Sequence, residues 1–161
     1  VYSENDSLIK LYTNPVIWND NNQITAEYIQ IHNNGQKADR IDIQRSAFII
    51  TKEDTVMFNQ IYGKNMTGYI INNELRRIDV DGNAQTIYYP KDGEEYTGVN
   101  KAMSSSMTIR LKDSEIKEIV WYTMPEGEMH PLDELPREEV FLKGFIWLEQ
   151  HRPMNMYGIF K

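Results

Sequence analysis

Slid along itself by 37 positions, the chain places Ile24 on Ile61, Arg40 on Arg77, Ile41 on Ile78, Asp42 on Asp79, Ile43 on Val80, Ala47 on Ala84 and Ile50 on Ile87 without a gap. A looser third copy begins near Val99, where Leu75 and Ile78 recur as Ile116 and Ile119 at a spacing of 41. A unit this short cannot bury its own apolar face, so successive copies must stack or wind around one shared core. The 161 residues suit one domain, with repeats at about 24–60, 61–98 and 99–123 and a C-terminal capping segment at 124–161. The chain starts on Val1 without a signal sequence, and it reads as a segment of something longer.

Inside each copy the apolar residues alternate: Ile24, Ala26, Tyr28, then Ile41 and Ile43, and again Ile78, Val80, Ala84, Thr86 and Tyr88. Period two is the signature of a strand. Asn33-Asn34-Gly35, Asn72-Asn73 and Lys112-Asp113-Ser114 separate the alternating arms, and these residue types favour tight reversals. Each repeat is therefore expected to be an antiparallel hairpin, with strand structure from about Gln23 to Tyr122. Leu8, Lys10, Tyr12 and Val16-Ile17-Trp18, before the turn Asn19-Asp20-Asn21-Asn22, add one or two more strands, and Pro15 marks an edge or a strand start. The tail departs from this pattern at Met124-Pro125-Glu126-Gly127 and His130-Pro131. Pro136 with Glu138 and Glu139 predicts a short helix or helical turn, with Val140, Phe141, Phe145, Trp147 and Leu148 packing over one end of the sheet.

Composition narrows the function. The net charge of −7 opposes a sequence-independent grip on a phosphate backbone, so nucleic acid is not expected as a partner. Without cysteine there is no disulfide, thiolate zinc site or cysteine nucleophile. His32, His130 and His151 stand apart, with no second histidine at ligand spacing, so no metal site is expected. Asp79-Val80-Asp81-Gly82-Asn83 superficially matches a calcium loop, but its spacing is wrong and no glutamate closes it. The repeat places Asp42-Ile43-Gln44-Arg45-Ser46 in the same register, which makes Gly82 a bulge or kink in a strand. Ser104-Ser105-Ser106 lacks the glycines of a nucleophile elbow, and no carboxylate pair is singled out. An enzyme, such as a glycan-processing one, is thus the weaker class, and no cofactor is expected.

Leu75-Arg76-Arg77-Ile78-Asp79-Val80-Asp81-Gly82-Asn83-Ala84 resembles the Gly-Asn-Val/Ala signature that follows an alternating strand in the OstA/LptA-like family of lipopolysaccharide-transport proteins. Gly98-Val99-Asn100, Leu142-Lys143-Gly144-Phe145-Ile146-Trp147 and Arg152-Pro153 are similar to the OstA-like proteins of Bacteroidetes-type bacteria, so the likeness runs from roughly Gln23 to Pro153. At the register of Gly82-Asn83-Ala84 the first copy carries Arg45-Ser46-Ala47, and the third copy carries no such tripeptide.

The resemblance implies an all-β, antiparallel β-jellyroll of V-shaped strand pairs. Its apolar interior would receive the acyl chains of lipopolysaccharide, without catalysis, in the periplasm and in association with the outer membrane. It also implies edge-to-edge pairing with other β domains of a transport bridge. Ile24, Tyr28, Ile41, Ile43, Ile61, Ile78, Val80, Ile109, Ile119 and Trp121 are the candidates to line the groove, although the same stripe would equally fill a closed core. Lys64, Arg76, Arg77, Lys101, Arg110 and Lys112 are the candidates to meet headgroup phosphates. The alternative is an assembly module whose exposed edges recruit partner proteins without binding lipid.

Overall fold

A computed structural model describes residues 6–19, 21–35, 37–113, 115–123 and 125–151. Asp20, Ser114, Met124, Arg152, Pro153 and the rest of the expected cap to residue 161 lie outside the described residues. Among the described residues twelve strands form: β1 (Asp6–Tyr12), β2 (Val16–Asn19), β3 (Asn22–Thr25), β4 (Tyr28–Asn34), β5 (Lys37–Lys52), β6 (Phe58–Ile71), β7 (Glu74–Tyr88), β8 (Lys91–Asp92), β9 (Glu95–Tyr96), β10 (Val99–Lys112), β11 (Glu115–Tyr122) and β12 (Glu126–His130). All but β8 and β9, which make a small separate hairpin, belong to one antiparallel sheet. The fold is all-β and jellyroll-like.

The sheet is a meander of bent strands, because each long strand changes partner-facing geometry halfway along. β5 pairs with β4 over Lys37–Gln44 and with β3 over Phe48–Thr51, and β10 likewise pairs with β11 at one end and β12 at the other. A first arm therefore runs β1-β4-β5-β6-β7-β10-β11, and a second arm runs β2-β3-β5-β6-β7-β10-β12. The bend lies on one line across the sheet. In β5, Gln44 pairs with Asn65 and Ala47 with Gly63, so Arg45 and Ser46 together oppose Lys64. In β7, Asp81 pairs with Ser106 and Ala84 with Ser104, so Gly82 and Asn83 together oppose Ser105. Both are bulges, which bend a strand and raise its local twist.

The two bulges share one backbone form at a spacing of 37 residues. Gly82 and Asn83 have φ of 85° and 50°, while Arg45 and Ser46, exactly one 37-residue period earlier, have 65° and 54°. The two copies share one left-handed corner although only one carries the residues that adopt it cheaply. Thr13 and Asn14 between β1 and β2, and Thr123 between β11 and β12, also have positive φ. All four of these left-handed corners lie where the chain runs from the first arm to the second. Asn72 and Asn73, both with positive φ, form the two-residue reversal between β6 and β7.

The inner faces of both arms meet in one core. The first arm contributes Ile29 and Ile31, Ile41 and Ile43, Met66, Ile78 and Val80, and Met107 and Ile109, and the second contributes Ile17, Ile24, Ile49, Ile61 and Ala84. Registers agree across copies: Ile41, Gly68 and Ile78 lie in one row, as do Ile43, Met66 and Val80. At Gly68 a Cβ would stand 2.7 Å from Ile41 Cγ2 and 2.9 Å from Leu75 Cδ1, so the close packing of this row requires glycine.

The C-terminal segment straps the outer face of the second arm. The expected helical piece is a single 3₁₀ turn at Arg137–Val140, followed by another at Glu149–His151. Between them, Phe141, Leu142, Phe145 and Trp147 pack on Phe48, Ile50 and Phe58. Two glutamines hold the strap. Gln23 Nε2 donates to the Ile146 carbonyl at 2.8 Å, and its Oε1 accepts from the Leu148 N–H at 2.7 Å. Gln60, one repeat later, donates to the Val140 carbonyl at 2.8 Å and accepts from the Leu142 N–H at 2.7 Å. Both side chains are fully buried. The strap supplies an aromatic cover: Trp147 sits 5.1 Å from Trp18 and 5.2 Å from Phe58, ring centre to ring centre.

Candidate functional site

The groove candidates fall into three groups. Ile24, Ile41, Ile43, Ile61, Ile78, Val80 and Ile109 lie inside the shared core, and Ile24, Ile41, Ile43, Ile78 and Ile109 have no exposed surface at all. No water-sized sphere touches those five side chains, so the interior around them is packed shut. Ile119 and Trp121, on β11, are partly exposed and pack against the margin of the core. Tyr28 lies on the opposite face of the first arm: Ile29 takes the inward position, Tyr28 stacks on Tyr12 at 5.0 Å, and its hydroxyl donates to Gln30. The alternation Ile24, Ala26, Tyr28 crosses the corner at Ala26-Glu27, where the inward phase shifts by one residue.

The headgroup candidates are dispersed. Arg77 and Arg110 share a row on the outer face of the first arm with Tyr69 and Glu118. Arg77 is paired with Asp79 at 3.0 Å and Arg110 with Glu118 at 3.1 Å. The Asp79 hydrogen bond, with its charge, raises the Arg77 pKa further. Arg76 is half-buried beside the bulge at Tyr69/Ile70. Lys112 is at the tip of the first arm and Lys64 at the corner, where it borders a 340 Å³ hollow with Arg45. Lys101 lines a 350 Å³ cleft on the outer face of the second arm, beside the strap. These six side chains do not converge on one place.

The site that does emerge is the seam where the two arms face each other away from the corner, at the β11–β12 end. A 170 Å³ pocket there is lined mainly by apolar surface from Ile116, Ile119 and Trp121 of β11, Tyr88 of β7 and Met129 of β12, with Asn100 of β10. A second, polar hollow of 350 Å³ adjoins it through Tyr88, Ile116 and Lys117 and contains Glu53, Asn59, Lys91 and Glu115. The seam is lightly fastened. Tyr88 Oη donates to the Ile116 carbonyl at 3.4 Å, and Lys91 Nζ reaches Glu115 on the first arm and Glu53 on the second, at 3.9 Å each. Burial pushes the Glu53 carboxyl above its ordinary pKa, opposed by Lys91 and by the bond from Tyr96. Lys91 lies 5.0 Å over the Tyr96 ring, which holds it at the seam.

Sequence reading missed Lys91, Lys117 and Asn100. Lys91 and Lys117 fall outside the repeat pattern, but Asn100 was visible in it. Asn22-Gln23, Asn59-Gln60 and Asn100-Lys101 recur at spacings of 37 and 41, the latter being the spacing of the third copy. Among the described residues no group of three or more acidic, histidine or cysteine side chains could hold a metal ion, and no helix is long and apolar enough to cross a membrane. Comparison of the chain with family models, with curated proteins and with solved structures finds no match.

Proposed function

We propose that this chain is a non-enzymatic carrier that holds lipid acyl chains between its two arms, in the manner of a lipopolysaccharide-transport module working in the periplasm towards the outer membrane. One observation carries the reading. The apolar interior is continuous across both arms, yet among the described residues no first-arm stretch of a strand pairs with a second-arm stretch. The arms share backbone only at the corner. Parting them at the seam exchanges side-chain contacts for contacts with an acyl chain, and apolar area buried by either partner is worth about 25 cal/mol per Å². Loading therefore costs little beyond the Tyr88 and Lys91 fastenings. The mixed charges of the adjoining hollow, Lys91 and Lys117 with Glu53 and Glu115, offer a headgroup both donors and acceptors.

Titration of the folded protein with lipopolysaccharide, and in parallel with a neutral lipid of similar chain length, tests this. Saturable binding that weakens in Ile78→Ala/Val80→Ala, with the β signature by circular dichroism retained, is expected. No saturable binding to either lipid removes the carrier reading.

The sheet edges favour a second reading. Among the described residues β1 is paired only with β4, and β11 only with β10, so each end of the meander offers a free edge to a β domain of the same kind. Concentration-dependent association without lipid binding would make the chain an assembly module.

A further inference from the structure

Asn22, Asn59 and Asn100 occupy one register in the three repeats, on the inner face of the second arm at its free end. The first two have structural work. Asn22 Oδ1 accepts from Thr51 Oγ1, and Asn59 Oδ1 accepts from the Tyr89 N–H at 2.9 Å. Asn100 Oδ1 is buried and has no partner among the described residues, and the same is true of Trp121 Nε1. Both residues line the 170 Å³ seam pocket. An acceptor and a donor are thus left unpaired beside one small, mainly apolar pocket, and unpaired buried polar groups are a standing cost to the closed seam.

We propose that this pocket is a subsite for an aliphatic chain bearing a neutral group that both accepts and donates a hydrogen bond, a hydroxyl or an amide. The chain lies against Ile116, Ile119 and Met129, and its polar group accepts from the Trp121 indole N–H and donates to the Asn100 carbonyl. A carboxylate offers no donor to Asn100, and a plain alkyl chain leaves both groups unpaired. Because the two atoms lie beneath the pocket wall, out of reach of a water-sized sphere, the ligand reaches them as the arms part at Tyr88 and Ile116. The inference rests on the carrier reading and adds to it a preference among chains.

The indole N–H resonances of the whole protein report on this directly. Trp18, Trp121 and Trp147 give three signals, and the one lost in Trp121→Phe belongs to Trp121. Hexan-1-ol, hexanamide and hexane are titrated separately. A polar probe is expected to move the Trp121 signal downfield and to bind roughly two- to tenfold more tightly than hexane. Whichever of the alcohol and the amide binds more tightly identifies the group. Asn100→Leu should abolish the preference and keep hexane binding, while the Trp18 and Trp147 signals report that the fold is intact. Trp121→Phe makes the same comparison by affinity without touching Asn100. Hexane binding as tightly as both polar probes, with the Trp121 signal unmoved, overturns the subsite and leaves the carrier reading standing. Binding of none of the three overturns both.

Discussion

Gln60→Leu removes one of the two clamps on the C-terminal strap and replaces it with a side chain of similar size. Gln60 is fully buried, and its amide satisfies the Val140 carbonyl and the Leu142 N–H, so the substitution leaves two main-chain groups without partners. Each unsatisfied buried group costs about 1–3 kcal/mol, so the structure predicts a loss of about 2–6 kcal/mol. The strap can limit this loss by lifting into water, but it then gives up the contacts of Phe141, Phe145 and Trp147 with Phe58. In urea, where small domains lose about 2 kcal/mol per molar denaturant, the midpoint should fall by about 1–3 M. Gln23→Leu should act similarly, and because both glutamines hold one strap the double variant should lose less than the sum. A Gln60→Leu midpoint equal to that of the natural chain would refute the clamp.

Other outcomes follow from particular positions. Gly68→Ala forces a Cβ into Ile41 and Leu75 and should cost about 1–3 kcal/mol in the same urea assay. Arg45→Gly with Ser46→Asn copies the corner of the second repeat into the first, relieves two left-handed residues, and should raise stability by about 1 kcal/mol; Gly82→Ala should do the reverse. Hydrogen bonds to Glu128 and then Glu134 raise the His130 pKa above its ordinary 6.5. Proton binding therefore favours the folded state: this contribution is complete below the unfolded pKa and is lost as pH rises through the folded one. An NMR titration of His130 should show the raised value in the natural chain and a return towards 6.5 in Glu128→Gln.

The meander was legible in the sequence because a spacing of 37 with alternation fixes register, and register fixes which residues share a row. Arg45-Ser46 hid the corner, since neither type favours positive φ; only its alignment with Gly82-Asn83 gave it away. Alternation placed Ile41 and Ile78 on an inward face and misplaced Tyr28, because a period-two pattern does not show where a bend resets the phase. Whether the inward stripe encloses space was not legible, since that depends on how side chains of two arms interlock across the core. The strap's aromatics were visible, but their seat was not: Gln23 and Gln60 sat in the repeat as polar residues at positions whose burial only the fold reveals.

If acyl chains are carried between the arms, the arms must separate to admit them, because the described interior has no room around Ile41 and Ile78. The chain has no cysteine, so Val120→Cys on β11 and Glu128→Cys on β12 introduce two spin labels only, one on each arm and neither lining the seam pocket or its adjoining hollow. Pulsed electron–electron resonance then measures the distance between them with and without lipopolysaccharide. An acyl layer between the arms should lengthen it by about 4 Å, the contact separation of packed carbon atoms. A distance distribution that stays unchanged at saturating lipopolysaccharide would contradict carriage between the arms.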